Sequence, residues 1–236
     1  MKSQIPSGFG SFWRIASIVL RKDLTVEVRS REIAYTTLFF AVSCVLVFSF
    51  AFVKEGRAME DAAAGILWIA IAFAGTLALG RTFERERQSE TLRALLLAPA
   101  DRPAIYVGKL VGIIALLLAA EAVLVPLIAF LFQAPALFTR PFWLVAILVT
   151  GTLGYCAVGT LFAAMLIRAR SRDVLLPVLL YPITIPVIIA GVRGTAALLD
   201  PEPDLAMLRF WVMLLVTFDA VFVTLALWTF GPLMTD

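Results

Sequence analysis

The chain has 236 residues, of which 61% are hydrophobic and 16% charged, and its mean hydropathy is +0.96. Soluble domains hold roughly 45–50% apolar and about 25% charged residues, so this composition excludes an ordinary soluble domain and points to a bilayer. The net charge is +3, with basic residues at the ends of apolar runs rather than along one face, which speaks against nucleic acid as a partner.

Residues 1–32 are charged and precede an apolar run too long for the core of a secretory signal, so that run is expected to persist as a span. Between Phe9 and Leu24, the residues Phe9, Phe12, Trp13, Ala16, Val19, Leu20 and Leu24 share one helical face, with Arg14, Ser17, Arg21 and Thr25 opposite. This pattern predicts an interfacial helix whose Trp13 sits at headgroup depth. Asp23 and Glu27 then interrupt the apolar face, which predicts a turn or a contact before the first span.

A helix needs about 20 apolar residues to cross roughly 30 Å of hydrocarbon. Six segments meet that requirement, at 33–53, 62–82, 105–131, 142–167, 174–192 and 206–231. They are continuously apolar rather than alternating, which excludes a β-barrel. The fold class is therefore all-α and polytopic, an amphipathic segment over 1–32 followed by a six-helix membrane domain over 33–236. Fifteen of the 20 Lys and Arg residues lie in the N-terminal segment and in the loops after the second and fourth spans, against Lys54, Arg57, Arg140, Arg193 and Arg209 on the other side. Basic loops stay in the cytoplasm, so both termini are expected there.

The loop after the second span reads Thr82-Phe-Glu-Arg-Glu-Arg-Gln-Ser-Glu-Thr-Leu-Arg-Ala-Leu-Leu-Leu-Ala-Pro99. Glu84, Glu86 and Glu90 alternate with Arg85, Arg87 and Arg93, a pattern that by itself fits a solvated juxtamembrane surface. Leu92, Leu95 and Leu96 give the following turn a small apolar face, and Pro99 ends it. The order of these elements resembles the cytoplasmic segment of ABC-2-type transporter membrane subunits, carried here by Glu84, Arg85, Glu86, Thr91, Leu92, Leu95, Leu96, Pro99 and Lys109. The resemblance implies that this segment, Glu90 and Arg93 included, docks on an ATP-binding subunit. A short helix with charged ends and a leucine face can seat in a groove of such a partner. The chain holds no P-loop pattern GxxxxGK[ST] and no other catalytic motif, so it is not expected to be an enzyme, and ATP would be hydrolysed by a separate subunit.

Gly65-Ile-Leu-Trp68, Leu77-Ala-Leu-Gly-Arg-Thr-Phe83 and Leu175-Leu-Pro177-Val-Leu-Leu-Tyr-Pro182-Ile-Thr-Ile-Pro186 resemble the B subunit of the cytochrome c maturation haem exporter, the CcmB family. That resemblance implies a permease subunit of an ABC-type complex in the bacterial inner membrane. Its partners would be a cytoplasmic ATPase, haem-handling membrane subunits and a periplasmic haem chaperone whose loaded form the complex releases. Two other functions fit the same features: a generic ABC-2 exporter of lipid, polysaccharide or drug, and a scaffold that transmits ATPase movement to a haem-handling partner without forming a channel.

The chain contains no histidine, the commonest protein ligand of haem iron. Haem is therefore expected to be ligated by partner subunits, with Met165, Met207 and Met213 as packing residues. No cofactor and no metal centre is assigned to this chain. Cys44 and Cys156 each sit within an apolar run, which predicts buried thiols rather than a disulfide.

Inside the spans, Pro177, Pro182 and Pro186 predict a kinked or broken fifth helix and a candidate gate, with the freed carbonyls satisfied by neighbours, Thr184 or water. Glu121 and Asp219 are ionisable groups within apolar runs, where the charged form costs about 2.5–3.5 kcal/mol at mid-bilayer. Each is expected to face the protein interior, and at least one to bind a proton or a partner subunit. Gly151, Gly154, Gly159 and Ala163 allow close helix approach in the fourth span, for packing or for a homodimer.

Overall fold

The computed structural model describes residues 9–54, 57–58, 62–88, 102–166, 169 and 171–233. Among the described residues, seven long helices run in chain order: α1 Phe9–Ser30, α2 Glu32–Ala51, α3 Ala63–Gln88, α4 Arg102–Leu131, α5 Pro141–Met165, α6 Arg172–Leu199 and α7 Leu205–Leu233. Six of them, α2 to α7, are long and apolar enough to cross a membrane. The chain is an all-helical, multi-pass membrane protein. Val53–Lys54 pair antiparallel with Arg57–Ala58 in a minimal hairpin between α2 and α3, and a single 3₁₀ turn, Pro135–Phe138, links α4 to α5.

The ends of the spans follow local chemistry. α1 stops at Arg31, which adopts a left-handed backbone conformation with φ 55°. The Arg31 N–H donates to the Glu27 carbonyl at 2.6 Å. The Glu27 carboxylate in turn accepts the Ala34 N–H at 2.7 Å, capping one of the first-turn donors of α2 that have no intrahelical acceptor. Glu27, which breaks the apolar face of α1, thus acts as a cap for the next helix. α5 opens on Pro141 at its first position, where the missing N–H costs nothing.

α3 and α5 form the centre. α5 packs against α4, α6 and α7, and α3 against α2, α4, α5 and α6. Close approach is made possible by missing side chains. Trp68 of α3 is wedged between Gly151 of α5 and Gly191 of α6, where a Cβ would come within 2.1 Å and 2.3 Å of the indole. Its Nε1–H donates to the Thr195 hydroxyl at 3.0 Å. A hydroxyl cluster lies further along the same interface. The Tyr155 hydroxyl donates to the Ala72 carbonyl at 2.6 Å, and the Thr76 hydroxyl lies 2.7 Å from that of Tyr155 and 3.1 Å from that of Tyr181. α3, α5 and α6 are thereby joined by hydrogen bonds that a hydrocarbon surround would otherwise leave unmade.

Two expectations change. Of the kink or break expected in the fifth span, the break is absent: α6 is continuous from Arg172 to Leu199 through Pro177, Pro182 and Pro186. Pro182 and Pro186 are exposed on the outside of the bundle and Pro177 is half-buried, so the prolines do not all face the protein interior. The Thr184 hydroxyl donates to the carbonyls of Leu180 and Tyr181, whereas the carbonyls that lose a donor to the prolines are those of Asp173, Val178 and Pro182. This helix also extends seven residues beyond the expected 192, because Gly194 packs against Ile147 and Thr195 is held by Trp68. In the second change, Met165, Met207 and Met213 are exposed on the bundle surface rather than packed within it.

Candidate functional site

The basic end of the bundle, from which residues 89–101 leave α3, is held together by charge. At the foot of α3, Glu84 accepts Arg172 Nη2 from the first turn of α6 at 2.5 Å. The same nitrogen donates to the Gly80 carbonyl at 3.2 Å. Arg172 is 3% exposed, so Glu84 neutralises a cation withdrawn from water, and removing Glu84 alone would leave that charge uncompensated. Asp173, 3.7 Å from the same guanidinium, is solvated and adds little.

The residue before Glu84 is engaged from the other side. Phe83 is buried, and Lys109 of α4 places its ammonium 5.9 Å from the ring centroid, within cation–π range. Lys109 Nζ also donates to Asp23 of α1 at 2.7 Å, and Lys22 lies 3.0 Å from the same carboxylate. α1 therefore does not simply float on the bilayer. Ala16 and Val19 of its apolar face are buried, and Gly108 of α4 is the notch that receives them: a Cβ there would lie 2.7 Å from the Ala16 carbonyl. Trp13 and Leu24 of that face remain exposed. A further tie joins Arg102, at the start of α4, to the Gly231 carbonyl of α7 at 3.0 Å.

The foot of α3 is thus clamped between α6, through Glu84 and Arg172, and α4 with α1, through Phe83, Lys109 and Asp23. Displacement of the segment that follows α3 would be carried into three further helices at once. Of the candidate coupling residues, Glu84 belongs to this clamp and Arg85 and Glu86 continue the backbone of α3. Glu90, Thr91, Leu92, Arg93, Leu95, Leu96 and Pro99 lie outside the described residues.

Deeper in the bundle, the two carboxylates approach the same turn of α5 from opposite sides. Glu121 of α4 is buried, and its Oε1 accepts the Thr152 hydroxyl. Asp219 of α7 is buried beside Gly154, where a Cβ would fall 2.6 Å from its Oδ1. Residues two apart on a helix point about 200° apart, so Thr152 and Gly154 present opposite faces of α5. Glu121 Oε2 and Asp219 Oδ1 have no hydrogen-bond partner among the described residues.

Comparison with known proteins gives the family. Residues 14–233 match the family model described as CcmB protein. The chain belongs to the CcmB family. It is 31% identical over 198 residues to heme exporter protein B of Rhodobacter capsulatus, covering 80% of this chain and 88% of that protein. The namesake of Escherichia coli K12 is 33% identical over 102 residues, 43% of this chain and 44% of that protein, and that of Pseudomonas aeruginosa is 25% identical over 191 residues, covering 80% and 84%.

As a CcmB family member, the chain carries two ties that its sequence did not single out. Arg172 counted only towards the basic end, and its pairing with Glu84 joins residues 88 apart. A basic residue opening a span gives no hint of its partner. Lys109 was legible as part of the coupling pattern, and Asp23 as a break in the α1 face, while their mutual contact across 86 residues was not.

Proposed function

We propose that this CcmB family chain is the membrane-spanning subunit of an ATP-driven haem-export complex of cytochrome c biogenesis in the bacterial inner membrane. The family match over residues 14–233 carries this reading, together with the name heme exporter protein B borne by its relatives. A separate cytoplasmic ATPase docks on residues 84–96, and its movement enters the bundle at the foot of α3. Release of the haem-loaded periplasmic chaperone follows at the other side of the membrane. The two-sided clamp supports the mechanical part: Glu84 couples to α6, and Phe83 couples through Lys109 to α4 and α1. With no histidine in the chain, the haem iron is held by other subunits.

One observation favours transmission of movement over passage of haem through a single copy. The middle of α3, α5 and α6 is filled by Trp68, Tyr155, Leu79 and Ile147, all buried to 1% exposure or less. Haem flux and chaperone release are separable in membranes containing the whole complex. Leu95→Asp is expected to abolish co-purification of the ATPase and chaperone release, while the chain remains in the membrane at its normal level. Undiminished ATPase binding in that variant would remove residues 84–96 from the docking role.

A further inference from the structure

A groove of about 260 Å³ opens on the outer surface between α4 and α5. Its walls are apolar, formed by Leu118, Ala122, Pro126, Phe138, Val145 and Val149, and Glu121 lies at its base. Glu121 is 2% exposed. Thr152 occupies one of its oxygens, and the other, Oε2, has no partner among the described residues. A second acceptor lies beside it. Pro126 sits within α4 and has no N–H, so the Ala122 carbonyl loses its helical donor on the same wall.

The depth of these acceptors restricts what can satisfy them. Glu121 is twelve residues from Lys109 along α4, about 18 Å at 1.5 Å per residue. That is mid-bilayer, where the hydrocarbon of a lipid offers no donor and an unsatisfied polar group costs several kcal/mol. A second copy of this chain applied through the same face fares no better. The apolar side chains that line the groove carry no N–H or O–H. A span of a different polypeptide can supply a donor at this depth.

The geometry points to this groove as the docking site for a transmembrane helix of another subunit, which inserts a side-chain hydrogen-bond donor towards Glu121 Oε2. The inference rests on the chain being one subunit of a complex, and its test separates the two ideas. A photo-crosslinking amino acid replaces Val145, inside the groove, or Val216 on α7 as a control, in cells making the whole complex. From Val145, the expected adduct joins the chain to a different membrane subunit, and the peptide mapped by mass spectrometry lies in a span bearing an O–H or N–H side chain. Glu121→Leu lowers that adduct about fivefold, the scale of one interhelical hydrogen bond in a membrane. Val149→Trp, which fills the groove and leaves the Thr152 contact untouched, lowers it as well. Adducts with lipid or a second copy alone, or a yield that neither variant changes, would overturn the groove. Co-purification of the ATPase is scored in the same membranes. If the unaltered chain brings down no ATPase, the proposed complex fails, whereas ATPase retained without the subunit adduct rejects the groove alone.

Discussion

Arg172 and Glu84 differ in their relation to water, and this asymmetry is testable. The guanidinium is 3% exposed and the carboxylate about a third exposed. Glu84→Ala strands a buried cation on the Gly80 carbonyl, and the expected cost is about 2–4 kcal/mol. Arg172→Met removes the charge and keeps most of the volume, and Glu84 is already partly solvated, so its cost is smaller. Adding Arg172→Met to Glu84→Ala should therefore raise the unfolding temperature in detergent above that of Glu84→Ala alone, and an additive loss would contradict the pairing. Trp68 supplies a second test at this scale. Gly191→Ala puts a methyl carbon 2.3 Å from a rigid indole, and about 1–3 kcal/mol of destabilisation is expected from such overpacking. Trp68→Phe relieves the crowding but orphans Thr195, so Gly191→Ala should cost less in the Trp68→Phe background than alone, measured by the same thermal unfolding.

Among the elements, α1 is the one whose character the structure altered most. Its apolar face was legible from spacing alone, but spacing cannot say whether lipid or protein covers that face. Ala16 and Val19 are covered by α4 while Trp13 is left outside, so the face divides between the two. Gly108→Val would fill the notch that admits α1, where even a Cβ lies 2.8 Å from that of Val19. The expected result is faster trypsin cleavage after Arg21 and Arg29 with the six spans intact, and unchanged cleavage would show that α1 is held by the bilayer instead. The proline pattern of α6 gave a different lesson. Three prolines read as a kink or a break because each removes one hydrogen bond, yet a break would expose several more donors and acceptors to hydrocarbon, which offers no replacements. The helix keeps its remaining bonds, and two of the rings face outward.

At the scale of the whole molecule, the six spans were legible because bilayer thickness sets their length, and observed helices such as Glu32–Ala51 and Leu205–Leu233 fall close to the expected 33–53 and 206–231. Which spans lie at the centre was not legible, since every one is apolar all round. The choice of α3 and α5 depends on small residues meeting large ones, as Gly151 meets Trp68, and such pairs are far apart in sequence. Orientation is open to a direct measurement. A single cysteine at Arg57, in a chain with Cys44 and Cys156 replaced by alanine, should react with an impermeant thiol reagent from the periplasmic side only. Reaction from the cytoplasm alone would invert the topology. The contact between Asp23 and Lys109 carries one more consequence, in time. Its partners are 86 residues apart, so at about 5–20 residues per second the ribosome delivers Lys109 roughly 4–17 s after Asp23. During that interval the newborn first helix rests on the membrane surface beside α2, and it takes up its final berth when the third span arrives.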